Sequence, residues 1–372
     1  MEINNASALL QSLIRIPSVN PEGEPGTPHT GEQSIAEWLV CWLRETFPKA
    51  RVELRDVLPG RPNVFASFGE NDLASAKPRI LLAPHTDTVS VGGMSIEPFS
   101  GELRDGKIWG RGASDTKGSM AAMLWALRDL RDVLPTLGHE VCFAGLCSEE
   151  AGQHGAIALA GQERFDFVIA GEPTGLDAVI AHKGALWLTL TTRGRAVHAA
   201  QPERGENAIY KMADVMRHIR DELAPALGKN SHPLLGHTTI SAGTISGGIK
   251  TNIVPDLCRA EVDIRYLPGE NPLPSISANL HAVCPDLEIT HVQSQPMLTD
   301  EAHPLITLLK KCGSRCIGAP WFSDAAIFAQ HGMPAIALGP GSIAQAHTRD
   351  EFITVADLEK GVTFFRDFLA RL

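Results

Sequence analysis

From residue 78 onward, short runs of apolar residues alternate with segments of helical periodicity, and this alternation constrains the fold more than any other feature. The segment 116–134 carries apolar side chains at the spacing of one buried helical face, and a second helix is expected over 152–161. Four apolar runs have the length of strands that are buried on both faces: 79–83, 141–146, 167–170 and 334–338. Strands and helices in this order are typical of βαβ units, so the sequence predicts an α/β fold with a doubly wound, largely parallel sheet.

The stretch 179–296 follows a different pattern. Apolar and polar residues alternate over 185–193, as in a half-buried strand. The elements expected after it are a helix over 207–223, strands over 238–245 and 257–266, a helix over 275–283 and a strand over 287–292. This β-α-β-β-α-β order is that of the ferredoxin-like split unit. Because the earlier pattern resumes at 304, we expect an α+β domain of residues 179–296 inserted into a first domain of residues 1–178 and 297–372.

The charge and the cysteine content exclude several classes of protein. The chain carries 33 Lys and Arg against 43 Asp and Glu, a formal net charge of −10 at pH 7, whereas a sequence-independent nucleic-acid binder needs a basic surface. No apolar run approaches the ~20 residues of a membrane span, and the N-terminal residues lack the apolar core of a signal peptide. The 7 cysteines form no C-x-x-C pair, which argues against a disulfide scaffold or a zinc ribbon. We therefore expect a soluble, cytoplasmic protein that binds neither nucleic acid nor a membrane.

Acidic and imidazole side chains stand at the ends of the predicted strands and at the start of the first predicted helix. In chain order they are His85, Asp87, Asp115, Glu149, Glu150, Glu172 and His347. Ligand sites of open α/β sheets form beyond the carboxyl ends of the strands, so these motifs are expected to meet at one edge. Each has a structural alternative, since a lone histidine is often a satisfied polar residue, Asp115 could cap its helix, and the glutamates could be surface charges or a turn. Packed together without a cation, however, the carboxylates would repel one another strongly.

Two histidines with several carboxylates form a ligand set that suits Zn²⁺, Mn²⁺ or Co²⁺. Five ligands exceed the three of an ordinary catalytic zinc site, and they suit two ions ~3.5–4 Å apart that share one carboxylate and a water molecule. The carboxylate of Asp87, two residues after His85, could orient the imidazole. Of the adjacent pair Glu149 and Glu150, one could bind metal while the other serves as a base.

These motifs resemble those of the dinuclear zinc peptidase and deacylase family that contains acetylornithine deacetylase, succinyl-diaminopimelate desuccinylase, carboxypeptidase G and aminoacylases. The resemblance runs along essentially the whole chain. It depends on Ile16-Pro-Ser-Val-Asn20, Leu82-Ala-Pro-His-Thr-Asp-Thr-Val89, Gly110-Arg-Gly-Ala-Ser-Asp-Thr-Lys-Gly118, Ser148-Glu-Glu150, Gly171-Glu-Pro-Thr174 and Gly339-Pro-Gly-Ser342 leading into Ala346-His347. Within the family, His182-Lys-Gly184, Asp263-Ile-Arg-Tyr-Leu-Pro-Gly269 and the segment 339–347 are most similar to the acetylornithine deacetylase branch.

The resemblance implies a role for each metal-site residue. Asp115 would bridge two divalent ions, zinc in the first place and cobalt or manganese as alternatives. His85 and Glu172 would complete one ion's ligands, and Glu150 and His347 the other's. Asp87 would hydrogen-bond His85, and Glu149 would be the general base and acid.

The resemblance also implies functions for the inserted domain. Residues 179–296 would form a lid that also makes the interface of a homodimer. His198 matches a lid histidine that reaches the active site of the partner subunit, and Asn252 and Arg265 match lid positions that contact substrate. Arg265 could equally be paired inside the lid.

The implied activity is hydrolysis of an N-acyl amino acid. The first candidate substrate is N-acetyl-L-ornithine, which would give acetate and L-ornithine in a step of arginine biosynthesis. Desuccinylases carry Ser-Asp-Gly-Arg where this chain has Ser323-Asp-Ala-Ala326. The missing arginine argues against a succinyl carboxylate, and Asp324 would suit a cationic amine or cap a helix. Alternatives are acetyl-citrulline, acetyl-lysine, general aminoacylase, desuccinylase or dipeptidase specificity, or a non-catalytic metal- or amino-acid-binding protein. No phosphate-binding G-x-x-x-x-G-K-[ST] motif is present.

Overall fold

A computed structural model describes residues 3–69 and 77–372. These residues form two compact units. The first comprises Met1–Ile180, Thr299–Ile317 and Ser323–Leu372, and the second comprises Ala181–Leu298 and Gly318–Phe322. Residues 318–322, which the sequence pattern assigned to the first domain, thus belong to the second unit.

The strands are β1 (Arg51–Leu58), β2 (Arg61–Ser67), β3 (Arg79–Ala83), β4 (Glu102–Arg104), β5 (Lys107–Trp109), β6 (Glu140–Gly145), β7 (Phe167–Ala170), β8 (Ala178–His182), β9 (Gly184–Arg193), β10 (Ser231–His232), β11 (Gly236–His237), β12 (Thr239–Gly247), β13 (Leu257–Tyr266), β14 (Glu288–Ser294), β15 (Met297–Leu298), β16 (Cys316–Ala319), β17 (Ala335–Ala337) and β18 (Phe352–Thr354). The helices are α1 (Ala6–Ile14), α2 (Gln33–Thr46), α3 (Lys117–Asp129), α4 (His154–Gln162), α5 (Ala208–His218), α6 (Ala224–Leu227), α7 (Pro272–Val283), α8 (Pro304–Lys311), α9 (Ala325–Gln330) and α10 (Val355–Leu369). None of the helices in the described ranges combines the length and the apolar character that a membrane crossing requires.

The large sheet of the first unit has a parallel centre, as the sequence predicts. Its order is β1-β2-β6-β3-β7-β17-β8, and β6, β3, β7 and β17 run parallel to one another. The margins are antiparallel. At one margin, only Pro59 and Gly60 separate β1 from β2, and a connection of two residues can join only antiparallel strands. The α/β prediction is confirmed, and the hairpin is an addition to it.

Both faces of this sheet are covered. Ile80 and Leu82 of β3 belong to one apolar cluster with residues of α1, α2, α3 and α10, whereas Leu81 between them points to the opposite face. On that side α9 packs against β7 and β17, and α4 against β1 and α9. A strand buried on both faces needs a continuous apolar sequence, which explains why these strands are recognisable without alternation.

The second unit has the predicted ferredoxin-like order. Its antiparallel sheet runs β12-β13-β9-β14. Leu186, Leu188 and Leu190 of β9 pack in one cluster with residues of α5 and α7, while Trp187 remains 51% exposed. The helices therefore cover one face of the sheet. Apolar and polar residues alternate along β9 because only one of its faces is buried.

Some helix boundaries differ from the prediction. The helix expected over 116–134 ends at Asp129, and a 3-10 turn, Leu134–Thr136, follows it. The helix expected over 207–223 ends as α5 at His218, and a π-helical turn, Ile219–Leu223, leads into α6. Apolar residues continue past both ends, so the apolar pattern alone does not mark where the backbone changes.

Candidate metal centre

The ends of β3, β6 and β7 and the start of α3 bring the predicted metal-site residues of the first unit together. The ligand atoms of His85, Asp115 and Glu172 all lie within 4.8 Å of one another. Those of Asp115, Glu150 and His347 form a second group with the same limit. Asp115 is therefore common to two groups, each of which could hold one metal ion.

The two carboxylate oxygens of Asp115 face different histidines. Asp115 Oδ1 lies 3.1 Å from Nε2 of His85, and Oδ2 lies 3.3 Å from Nε2 of His347. The same His347 nitrogen is 3.1 Å from Oε2 of Glu150. A carboxylate whose oxygens point to separate groups has the geometry of a ligand shared between two ions.

The electrostatics of the cluster fit divalent cations. Burial raises the pKa of Glu172 well above its usual value, and the charge of Asp115 raises it further. Burial would also raise the pKa of Asp115, but the bonds to His347 and His85 hold it below its ordinary value. Hydrogen bonds to Asp115 and Glu150 raise the pKa of His347 to about 10. So many buried carboxylates require positive charge nearby.

A buried oxygen of Glu150 gives independent evidence that these residues suit a bound cation. Glu150 Oε1 is shielded from solvent and accepts no hydrogen bond from residues 3–69 and 77–372. An unsatisfied carboxylate oxygen at this depth is unfavourable unless a cation binds it. The histidine nitrogens and carboxylate oxygens form a donor set that suits zinc, cobalt or manganese.

Asp87 lies beneath this cluster and orients the residues around it. Its Oδ1 accepts the backbone N–H of Glu149 at 3.0 Å, and its Oδ2 accepts that of Glu150 at 3.1 Å and the side-chain amide of Asn20 at 2.8 Å. The carbonyl oxygen of Asp87 lies 2.9 Å from Nδ1 of His85. A proton placed on Nδ1 by this contact leaves Nε2 as a lone-pair donor toward the site.

The loop before α3 reaches the cluster because a glycine allows a close approach. A Cβ atom at Gly118 would lie 2.4 Å from the carbonyl oxygen of Ala113, which is too close for any other residue. The chain can therefore curl tightly from 112 to 118 and present Asp115 at the start of the helix.

The structure places the other predicted site residues in the second unit. His198 is exposed, its Nδ1 accepts the backbone N–H of Ala200 at 3.1 Å, and it forms a bridge with Ile253. Asn252, also exposed, accepts the N–H of Ala199 through its carbonyl at 3.0 Å. The Nε of Arg265 lies 3.0 Å from Asp263 Oδ1, which is the pairing inside the second unit that the sequence left open as an alternative. Substrate contacts by these residues remain a prediction.

Several residues that support the site are not recognisable as supports from the sequence alone. Glu351 is buried and accepts backbone N–H groups of the loop that carries Asp115. Glu32 pairs with Arg61 and accepts the N–H of Ser148 at 3.1 Å. Asn20 lies in one of the quoted motifs, but only the structure shows its bond to Asp87. For Glu351, a hint is its position four residues after His347.

Comparison with known proteins gives consistent results. The sequence pattern of peptidase family M20/M25/M40 matches residues 81–371. An acetylornithine deacetylase of Proteus mirabilis (strain HI4320) is 30% identical over 367 residues, which cover 94% of this chain and 92% of the relative. One of Yersinia pseudotuberculosis serotype O:1b (strain IP 31758) is 31% identical over 375 residues, with 94% and 93% covered.

Solved structures show the same fold. An M20 family metallo-carboxypeptidase of Sulfolobus solfataricus has a TM-score of 0.78 at 20% identity and covers 99% of both chains. A tripeptidase of Staphylococcus aureus has a TM-score of 0.78 at 20% identity with 100% of both chains covered. A dinuclear metal-binding M20 peptidase of Bacillus subtilis has a TM-score of 0.71 at 13% identity, with 98% of this chain and 96% of that chain covered.

Proposed function

We propose, from the premise that this chain belongs to peptidase family M20/M25/M40, that it hydrolyses the amide bond of an N-acyl amino acid, with N-acetyl-L-ornithine as the foremost substrate. The matches confirm the family that the motifs predict. They also confirm the prediction that the chain is a metal-dependent hydrolase. The observation that carries the proposal is the pair of ligand groups that share Asp115, with Glu149 beside them. The substrate is proposed from the acetylornithine deacetylases that are 30% and 31% identical over 94% of the chain.

The proposed centre holds two divalent ions, with zinc as the first candidate. His85 and Glu172 would bind one ion, Glu150 and His347 the other, and Asp115 both. Ions at these positions would polarise the acyl carbonyl and lower the pKa of water toward ~7.

Glu149 is the proposed general base. Burial and the charge of Glu172 raise its pKa well above the usual value, and this makes the carboxylate a better proton acceptor near neutral pH. Its backbone N–H is fixed by Asp87, and its side chain belongs to neither ligand group. Glu149 would take a proton from the attacking water and return it to the amine that leaves.

The second unit is proposed to supply the lid and the dimer interface. In this proposal His198 stabilises the oxyanion of the tetrahedral intermediate from the partner subunit, and Asn252 and Arg265 bind the carboxylate or carbonyl groups of the substrate. The exposed position of His198 is compatible with a contact to another chain. Mixing inactive His198→Ala and Glu149→Gln proteins should then restore activity, because one hybrid site keeps both residues. If subunit exchange is verified and activity stays absent, the shared site is wrong.

The acid at 324 supports a cationic substrate. Asp324 is buried, and its Oδ2 accepts no hydrogen bond from the described part of the chain. It stands where desuccinylases place the Ser-Asp-Gly-Arg motif, but here the arginine is replaced by Ala326. Burial raises the pKa of Asp324 to about 7, and the ammonium group of an ornithine side chain would favour the ionised carboxylate and bind this oxygen.

The test is a substrate panel. The zinc- or cobalt-loaded protein is incubated with N-acetyl, N-succinyl and other N-acyl amino acids and with dipeptides, and products are identified by mass spectrometry. Selective release of ornithine from its acetyl derivative supports the full proposal. Turnover of other acyl amino acids retains the mechanism and refutes the substrate. If two metals bind and nothing is hydrolysed, the proposed activity is wrong. Glu149→Gln should bind metal like the wild type but lack turnover.

A further inference from the structure

Glu351 is a fully buried carboxylate whose hydrogen bonds all go to one loop. Its Oε1 accepts the backbone N–H groups of Ser114 at 2.8 Å and of Asp115 at 2.9 Å. Its Oε2 accepts the N–H of Gly112 at 3.1 Å and Nη1 of Arg111 at 2.8 Å. Four donors of the 111–115 loop, from residues 111, 112, 114 and 115, thus converge on a single side chain.

Glu351 also connects the two chain segments that carry ligands of one proposed ion. Asp115 lies at the end of the loop that Glu351 holds, and His347 lies four residues before Glu351 in its own segment. The backbone carbonyl of Glu351 accepts the N–H of Gly110 at 3.0 Å, so main chain and side chain bind the same loop. The distance between Asp115 and His347, 3.3 Å between ligand atoms, depends on how these segments are joined.

We infer that Glu351 is a positioning residue for the metal centre: by accepting the N–H groups of residues 112, 114 and 115 it fixes the Asp115 carboxylate where it can bind two ions together with His347. This inference rests on the proposed function. Glu351 does not touch the substrate or the ions in this account. It acts through the backbone, as the groups behind the ligands of metal sites commonly do.

The acceptor chemistry of a carboxylate explains why glutamate is needed here. Each of its oxygens faces two N–H donors, so both oxygens must accept. A glutamine has nearly the same shape, but one of its two terminal atoms is an NH₂ donor. In either orientation that NH₂ group meets two other donors, and the loop must move. Aspartate keeps both acceptors but is one methylene shorter, so it cannot keep all four bonds without a shift of the backbone.

The experiment measures cobalt binding rather than activity. Metal-free wild type, Glu351→Gln, Glu351→Asp and Phe368→Leu are titrated with Co²⁺, and binding is followed by the visible d–d absorption and by metal content after dialysis. Phe368 is buried in α10 and makes no hydrogen bond to the 111–115 loop, so Phe368→Leu controls for loss of stability alone. Thermal unfolding of each metal-free protein is measured in parallel.

We expect wild type and Phe368→Leu to bind two Co²⁺ with the same affinity and spectrum. Glu351→Gln should bind with 10–100-fold lower affinity and an altered spectrum, as is typical of changes behind metal ligands, and Glu351→Asp should be intermediate. Wild-type affinity and spectrum in a folded Glu351→Gln would overturn the inference. If that variant does not fold, wild-type binding by Glu351→Asp overturns it as well. Failure of the wild type to bind two ions would instead refute the proposed metal centre.

Discussion

His182 belongs to one of the motifs that resemble acetylornithine deacetylases, and in the structure its side chain is fully buried. It lies in β8 with no exposed surface, and its Nδ1 lies 3.1 Å from the carbonyl oxygen of Lys183. Nε2 has no hydrogen-bond partner among the residues that the structure describes. Burial lowers the pKa of His182 from 6.5 to about 4. The imidazole is therefore neutral in the folded protein at neutral pH.

This shift makes the stability of the fold sensitive to acid. The unfolded chain takes up a proton at this residue near pH 6.5, but the folded chain does so only near pH 4. The contribution of the neutral imidazole is complete above pH 6.5 and decreases as the pH falls from 6.5 toward 4. With 1.36 kcal/mol for each pKa unit, the loss at pH 5 relative to pH 8 is about 2 kcal/mol, and at pH 4 it is about 3 kcal/mol.

The substitution His182→Asn tests this reasoning because an asparagine Nδ2 can donate to the Lys183 carbonyl but does not titrate. Urea unfolding of the metal-free wild type and variant is measured at pH 8, 7, 6 and 5. The other titrating groups are shared, so their effects cancel in the difference between the two unfolding free energies. This difference should shift by about 2 kcal/mol between pH 8 and pH 5 in favour of the variant. Parallel pH profiles would refute the assignment of a buried, neutral His182.

Four further predictions concern the metal centre and its supports. Asn20→Leu removes a bond of 2.8 Å to Asp87 and should reduce Co²⁺ affinity about tenfold, as measured by titration; unchanged affinity would show that the remaining donors suffice. Asp115→Asn should lower the metal content by two ions for each chain and His347→Ala by one, as measured by mass spectrometry; equal losses would contradict the shared ligand. Prolonged dialysis against a chelator should abolish hydrolysis and lower the melting temperature, and Zn²⁺ or Co²⁺ should restore both; full activity in verified metal-free protein would refute the mechanism. Glu32→Gln leaves a buried guanidinium without its charge partner and should reduce the unfolding free energy by about 3–5 kcal/mol, which chemical denaturation would detect; a smaller loss would mean that the pair is solvated.

The sequence predicts those features that depend on burial periodicity and on topology. The strands at 79–83 and 167–170 are apolar apart from Arg79, and the structure has the same boundaries. Because parallel strands end at one edge of a sheet, His85 and Glu172 could be expected to meet without knowledge of any distance. The structure then adds that their ligand atoms lie within 4.8 Å.

Other features are set by contacts that no local pattern records. The hairpin of β1 and β2 has a mixed burial pattern in its first strand, so no period of two is visible there. The pairing of Arg265 with Asp263 depends on rotamers. In the sequence, Glu351 cannot be distinguished from the other acidic residues. Only the fold brings it against the loop that ends at Asp115, which lies 236 residues earlier in the sequence. Buried polar networks of this kind join distant segments and are therefore visible only in three dimensions.

The supports of the candidate centre share one construction. Asp87, Glu351 and Glu32 are buried carboxylates that belong to neither ligand group, and each accepts backbone N–H groups from a loop that carries or precedes a metal-site residue. A carboxylate suits this task because its two oxygens can accept several N–H donors at fixed directions. Two of the three also have an arginine partner, Arg111 for Glu351 and Arg61 for Glu32.

The arginine partners distinguish the acids that bind the loops from the acids that face the metal site. The arginines neutralise Glu351 and Glu32, so these acids add little to the potential at the ligands. Six acids remain at the site: Asp115, Glu150 and Glu172 of the ligand groups, Glu149, and the buried Asp87 and Asp324. A second divalent cation would compensate more of their charge than a single one, in a buried setting where unpaired charge is unfavourable. The charge of the site therefore agrees with two ions.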